Sequence, residues 1–343
     1  MKAMILKKKY NLKKNKEPLE YVEKEIRNIK QDEILLKVKT CGVCHTELDE
    51  IEGRTLPPNF PIIPGHEVVG EVINRGKNIT SVQKNDRVGV AWIYSACGKC
   101  EFCKNGQENL CKQFLATGRD ADGGYAEYMI AKKGFFYKIP QYLNNSEAAP
   151  LLCAGAVGYR SLRLTNLHNG QLLGLTGFGA SGHLVLKMVK EKYPDSKIYV
   201  FARNKNERKF AIELGASWSG KTEAYAPEKL DAIIDTTPVW KPDVEALKNL
   251  KPGGRLVINA IRKENVDKKY LLNLNYKEHL WMEKEIKSVA NVTPKDVKDF
   301  LKLAAEIKIK PEYRDYKLKE ANKALLELKT GNIKGAKVLV MDT

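Results

Sequence analysis

Gln171-Leu172-Leu173-Gly174-Leu175-Thr176-Gly177-Phe178-Gly179-Ala180-Ser181-Gly182 is the stretch on which the fold turns. Its first half is a short apolar run and its second half fits G-x-G-x-x-G. That string alone is weak. Here Gly182 to Lys192 follow with Leu184, Leu186, Met188 and Val189 at helical spacing, so the turn joins a predicted strand to a predicted helix. In that setting Gly177 allows the tight turn, Gly179 lets backbone approach a pyrophosphate, and Gly182 lets helix and sheet pack closely. The helix N-terminus adds unpaired amides and partial positive charge. The expectation is a dinucleotide site.

Outward from this turn, the next strand, Lys197 to Phe201, bears on which dinucleotide is held. An NAD site calls for an acid at its end, to accept from the ribose hydroxyls. The chain reads Tyr199-Val200-Phe201-Ala202-Arg203-Asn204-Lys205, with Ala202 where the acid would stand, counting back from Leu214-Gly215-Ala216. Arg203, Asn204 and Arg208 are the candidates here, and a guanidinium suits a 2′-phosphate. NADP is therefore expected in preference to NAD.

The alternation continues with a helix over Asn206 to Leu214 and strands over Leu230 to Asp235 and Gly254 to Ala260. Alternating strands and helices imply a parallel sheet covered on both faces, a Rossmann-type doubly wound α/β arrangement. Beyond it, Thr293 is the expected N-cap of a helix with Pro294 at its first position, running to about Ile307. A second helix, Lys319 to Lys329, and a strand, Lys337 to Met341, complete the tail.

Before about Pro150 the pattern differs. Glu33 to Lys39, Val68 to Ile73 and Arg87 to Trp92 read as strands, punctuated by turn signals at Pro57-Pro58, Pro64-Gly65 and Gly123-Gly124. This β-rich region holds four of the seven cysteines in one loop, Cys97, Cys100, Cys103 and Cys111. Four thiolates at this spacing close a tetrahedral site, the pattern of a structural zinc. Disulfides and an iron–sulfur cluster are the alternatives. The amino-terminal MKAMILKKKY lacks a signal-peptide apolar stretch and the cysteine count is odd, which argue against disulfides. No proline follows Cys111, and its gap is longer than in a ferredoxin run.

The 343 residues allow two domains, and 43% hydrophobic residues are typical of a soluble protein. The net charge of +17 raises nucleic acid as a partner, but the lysines are scattered and no nucleic-acid-binding module accompanies them. A solvated lysine-rich surface is the better account. No apolar run reaches the roughly 18 residues of a membrane span, and a cytoplasmic protein is expected.

Outside the cysteine loop stand Cys41-Gly42-Val43-Cys44-His45-Thr46-Glu47, Gly65-His66-Glu67 and Leu151-Leu152-Cys153-Ala154-Gly155. With Asp86-Arg87-Val88, Gly123-Gly124-Tyr125-Ala126-Glu127-Tyr128 and the glycine turn in the same order, the chain resembles the zinc-dependent alcohol dehydrogenases of the medium-chain dehydrogenase/reductase superfamily. The resemblance covers essentially the whole chain. It implies a β-rich, partly open barrel (GroES-like) catalytic domain at 1–154 and 290–343, with the zinc lobe at about 95–113. The Rossmann-type dinucleotide-binding domain would then occupy 155–289.

Carried over by position, the family's catalytic zinc ligands fall on Cys44, His66 and Cys153, leaving Cys41 as a spare thiol. Two zincs per protomer are thus implied. Three protein ligands leave a fourth position for substrate, where zinc polarises an alcohol or carbonyl oxygen for hydride transfer. Glu67 is implied to lie close to the metal, and Glu47 to orient His66. Thr46 corresponds to the hydroxyl that takes the alcohol proton, and His45 to a cofactor pyrophosphate contact. Where several relatives end the proton relay on a histidine, this chain has Asp49: either Asp49 accepts the proton or the relay reaches solvent without a terminal base. Trp92 matches a residue that narrows the pocket in some relatives, or is simply core, and Lys337 matches a cofactor-phosphate contact.

The resemblance therefore implies hydride transfer between a primary or secondary alcohol and a nicotinamide cofactor, in a homodimer or homotetramer. A polyol, sugar or threonine dehydrogenase of the same superfamily is the nearest alternative. A cofactor-binding regulatory protein is another, but it would be expected to lose one of Cys44, His66 or Cys153.

Overall fold

The computed structural model describes residues 1–331 and 335–341. The chain begins with strands β1 (Lys2–Leu6) and β2 (Leu19–Glu23), an antiparallel pair. Strand β3 (Glu33–Val43) follows, then helix α1 (His45–Ile51) and strands β4 (Val68–Arg75) and β5 (Arg87–Val90). The cysteine lobe lies between β6 (Ile93–Ser95) and β7 (Leu115–Ala116) and contains the short helix α2 (Glu101–Lys104). Strands β8 (Tyr128–Lys132) and β9 (Phe136–Lys138) and the short α3 (Asn145–Ala148) lead to helix α4 (Ala154–Thr165).

From β10 (Leu173–Thr176) the pattern alternates: α5 (Ala180–Lys192), β11 (Ile198–Phe201), α6 (Lys205–Glu213), β12 (Trp218–Gly220) and β13 (Leu230–Asp235). Helix α7 (Lys241–Leu247), β14 (Leu250–Ile258) and β15 (Glu285–Ser288) complete it. The tail adds α8 (Pro294–Glu306), β16 (Tyr313–Lys317), α9 (Ala321–Thr330) and β17 (Ala336–Val340).

The chain divides into two compact units, Met1–Ala156 with Val292–Thr343, and Val157–Asn291. In the first, a seven-stranded mixed sheet runs β16-β17-β3-β4-β5-β9, with β8 also on β3. The path is open, and among the described residues no pairing of β16 with β9 closes it into a barrel. Strand β3 is the long central strand because it pairs with β4, β8 and β17 along different parts of its length. Ile34, Leu36 and Val38 alternate inward along it and are almost wholly buried, as a strand with one core face demands.

The second unit has six parallel strands in the order β12-β11-β10-β13-β14-β15. The sheet extends outward in both directions from β10, so the order reverses at the β10–β13 junction, where an open α/β sheet binds its ligand. Leu173, Leu175, Val200, Ile233 and Ile234 are fully buried, the continuous apolar pattern of strands covered on both faces.

The helix at Thr293 starts where its chemistry dictates. The Asp296 amide donates to Thr293 Oγ1 at 3.1 Å and the Thr293 amide to Asp296 Oδ2 at 2.9 Å, with Pro294 at the first turn. Two expectations shift. Strand β14 begins at Leu250 rather than Gly254: Leu230 pairs with Leu250 and Ala232 with Arg255, so the Pro252-Gly253-Gly254 turn loops out as an irregularity of the ladder. The last helix begins at Ala321 because Leu318–Glu320 forms a 3-10 turn, with Glu320 accepting from the Lys317 amide.

Candidate functional site

In the first unit, Cys44 lies between β3 and α1 as the N-cap of α1, His66 and Glu67 lie just before β4, and Cys153 follows a 3-10 turn at Ala149–Leu152. One donor atom from each of the four lies within 4.8 Å of all the others. His66 Nε2 is 3.4 Å from Cys153 Sγ. Neighbouring nitrogen and sulfur ligands on a tetrahedral zinc stand about 3.6 Å apart, given ordinary bond lengths. His66 Nδ1 is 2.7 Å from Glu47 Oε1, which fixes the ring with Nε2 toward the thiols. Glu47 is held in turn: as the third residue of α1 it accepts from the Cys44 amide at 2.7 Å.

The electrostatics of the pocket also suit a cation. Burial raises the Glu50 and Glu67 carboxyls well above their ordinary range, and the Cys44 thiol adds to both effects. Cys44 itself is held well below the usual thiol value by the Cys153 hydrogen bond, despite its burial. Cys153, as the donor of that pair, is pushed well up. Burial opposes the charge on His66, but Glu47 and Cys44 outweigh it and raise the imidazole well above its usual value. Two thiols, one imidazole and a carboxylate, buried with further acids, make a donor set that a dication would neutralise.

The four lobe cysteines likewise lie within 4.8 Å of one another, and Cys97 Sγ is 3.8 Å from Cys103 Sγ. That is close to the edge of about 3.8 Å that a tetrahedral four-thiolate zinc requires. Backbone amides of Lys99 and Cys100 hold Cys97 down at about 6. Cys41 stands apart from both clusters, fully buried and pushed up by desolvation.

The residues around the first cluster meet varied fates. Thr46 is buried, its Oγ1 3.6 Å from Cys44 Sγ, and His45 is exposed at the start of α1. Asp49 is buried against Arg54, with Arg54 Nε 2.7 Å and Nη2 2.6 Å from its Oδ1. Trp92 belongs to a small core with Ile93 and Ala116 and packs on Phe114, and its indole nitrogen has no hydrogen-bond partner among the described residues. Lys337 is wholly buried, and its Nζ contacts Glu327 Oε2 and Tyr316 Oη, each at 2.9 Å.

In the second unit Gly177 adopts a φ of +74°, which an L side chain rarely takes, and a Cβ there would lie 2.9 Å from Thr236 Oγ1. Gly179 caps α5, and space around it is open within 4 Å. Gly182 is tighter, since a Cβ would come 3.1 Å from Gly177 O. At the end of β11, Ala202 is buried and Arg203 exposed. Asn204 spends its side chain on capping α6, accepting from the Asn206 amide at 2.8 Å. Arg208 Nη1 donates to the carbonyls of Ala202 and Arg203 at 2.8 Å each, closing off the strand end.

Three features escaped the sequence reading. Glu50, buried to 1% exposure, has a carboxylate oxygen without a hydrogen-bond partner among the described residues, and Glu207 has its carboxyl beside Arg203 and Arg208. Lys263 is buried between Asp235 Oδ2 at 2.6 Å and Asp243 Oδ2 at 2.7 Å. Spacing gives no sign of the Lys263 contacts, which join segments well apart in the chain.

The alcohol dehydrogenase GroES-like domain family matches residues 30–141. The probable alcohol dehydrogenase AdhA of Mycobacterium tuberculosis is 40% identical over 329 residues, covering 94% of this chain and 93% of that protein. The chain belongs to the alcohol dehydrogenase family of the medium-chain dehydrogenase/reductase superfamily. An alcohol dehydrogenase of Geobacillus stearothermophilus is 34% identical over 333 residues, covering 94% of this chain and 96% of the relative. Among solved structures, a cinnamyl alcohol dehydrogenase from Sorghum bicolor superposes with a TM-score of 0.86 at 25% identity, covering 98% of this chain and 97% of that one. This alcohol dehydrogenase family member therefore has the family's α/β fold, with an open mixed sheet in one unit and a parallel sheet in the other.

Proposed function

We propose that this chain is a zinc-dependent alcohol dehydrogenase that prefers NADP and interconverts primary or secondary alcohols with aldehydes or ketones. The observation that carries the reading is the convergence of donor atoms from Cys44, His66, Glu67 and Cys153 within 4.8 Å. The alcohol dehydrogenase names of the two bacterial relatives support the substrate class. Cys44, His66 and Cys153 would hold the catalytic zinc, and Cys97, Cys100, Cys103 and Cys111 the structural one. A bound catalytic zinc supplies Lewis-acid polarisation of the substrate oxygen.

The chain's own residues do the rest. Glu47 keeps His66 in the tautomer that leaves Nε2 to the metal, as its 2.7 Å approach to Nδ1 supports. Thr46 receives the alcohol proton, and Asp49, held by Arg54, ends the relay. Gly177, Gly179 and Gly182 receive the cofactor pyrophosphate, with His45 as a further contact. Arg203 is exposed beside a strand end that lacks the ribose-binding acid, which supports its pairing with a 2′-phosphate. Asn204 and Arg208 shape that end of the site through the cap and carbonyl bonds they make.

A homodimer or homotetramer belongs to the same reading. All four residues of β15, Ile286 among them, are exposed at the edge of its sheet, and Leu272 and Trp281 are exposed nearby in sequence.

Initial rates with NADP and NAD test the cofactor assignment. Arg203→Ala should raise KM for NADP by about tenfold to a hundredfold, the loss of a charge-assisted hydrogen bond, and leave NAD nearly unchanged. Equal effects on both cofactors would contradict it.

A further inference from the structure

Strand β3 runs into the donor cluster as Cys41-Gly42-Val43-Cys44, and its glycine is not explained by backbone conformation. Gly42 is not among the positive-φ residues. What distinguishes it is the space a side chain would take: a Cβ built on Gly42 would lie 1.8 Å from Glu67 Oε2, 2.7 Å from its Cδ and 2.8 Å from its Cβ. Of the described glycines, Gly42 is the one whose absent side chain is replaced by a donor of the cluster. The missing Cβ of Gly65 and of Gly124 would instead meet packing atoms of Tyr125, Val68 and Cys41.

We infer that Gly42 is a positioning residue whose bare backbone forms the seat that holds the Glu67 carboxylate beside Cys44, His66 and Cys153. The backbone cannot open to admit a methyl group at little cost. The Gly42 amide donates to Glu67 O at 3.0 Å, and the next rung pairs Cys41 with Val68 in the β3–β4 ladder. His66, fixed by Glu47 and facing Cys153, precedes Glu67 directly and pins the other side. Relief must therefore come from the Glu67 side chain, which is nearly fully buried and has to give up its place. The expected result of adding one methyl group at position 42 is a carboxylate displaced from the metal's surroundings, with the three ligand side chains untouched.

This inference rests on the metal reading of the cluster, and cobalt(II)-loaded protein separates the two. In the wild type, a second cobalt with visible bands distinct from those of the four-thiolate lobe is expected. Its absence would refute the metal reading first and this inference with it. Given that second cobalt, Gly42→Ala should shift its bands and change its release rate to a chelator by about tenfold or more, the size of effect seen when groups supporting a metal site are altered. The same substitution in a Glu67→Gln background, which keeps the shape of residue 67, should reproduce the change. In a Glu67→Gly background, which clears all three crowded atoms, it should vanish. Bands and release unaltered by Gly42→Ala, or a change that persists with Glu67→Gly, would overturn the inference. If Gly42→Ala alone fails to fold, recovery of folding in the Gly42→Ala/Glu67→Gly pair supports the seat, and failure to recover contradicts it.

Discussion

Glu47 holds two groups of the donor cluster at once. One oxygen lies 2.7 Å from His66 Nδ1 and the other accepts the Cys44 amide at 2.7 Å. Glu47→Ala should weaken metal binding about tenfold to a hundredfold while leaving the four-cysteine lobe loaded, as competition with a chromogenic chelator would read. Unchanged affinity would remove Glu47 from the site. Asp49→Asn tests the end of the relay: if Asp49 takes the proton, turnover should fall about a hundredfold, within the usual range for a lost acid–base group. Unaltered turnover would mean that the relay ends elsewhere. At this scale ligand type and local spacing pointed to the four lobe cysteines, whereas Cys44, His66, Cys153 and Glu47 were implied by the family resemblance, and donor atoms of Cys44, His66 and Cys153 do meet in the fold. For Lys337 the sequence shows a lysine at a familiar position, but not that Glu327 and Tyr316 sit on its ammonium in the fold.

Elements are held together here by charges that no local pattern reveals. Lys263 joins the ends of β10 and β13 through Asp235, whose other oxygen accepts from Thr176 Oγ1 and Thr237 Oγ1, and it also reaches Asp243 on α7. Thr236 and Thr237 are the residues that a Cβ at Gly177 would meet, so this ion cluster lies beside the wall of the glycine turn. Lys263→Met leaves two buried carboxylates uncompensated and should cost about 3–5 kcal/mol in urea unfolding. A loss below about 1 kcal/mol would show that the cluster relaxes.

Strands β16 and β17 are tied to α9 differently. The Tyr316 hydroxyl and then the Lys337 ammonium hold Glu327 at about 2, below its ordinary 4.5. A carboxylate lowered on folding contributes stability above its unfolded value and loses it as pH falls toward the folded one. The stability gap between wild type and Glu327→Gln should therefore be full at neutral pH and close between pH 4.5 and about 2. A gap independent of pH across that window would assign the effect to shape rather than charge. The longer elements were legible from periodicity and caps, Thr293 with Pro294 above all, while short strands such as β6, β7 and β12 were not. The 251–254 loop inside β14 was not, because proline and glycine signal a turn without saying that the strand resumes the same ladder.

Across the whole molecule, the order of motifs conveyed more than any one of them. A glycine turn, a Gly-His-Glu triplet and a cysteine lobe are each weak alone, and together they led to a family that a 40% identical relative over 94% of the chain bears out. Net charge conveyed less. The +17 is spread over scattered lysines, many of them in ion pairs such as Lys197–Glu228 and Lys251–Asp231. The meeting of Cys44 and Cys153, over a hundred residues apart, was implied only by the resemblance, because no local pattern joins segments so distant. The most direct test of the account is metal content per protomer during stepwise chelation, with turnover followed in the same samples. The account predicts two zincs, with loss of the more labile one abolishing turnover while the other stays in the cysteine lobe. A single zinc, or full turnover after the labile metal has gone, would contradict it.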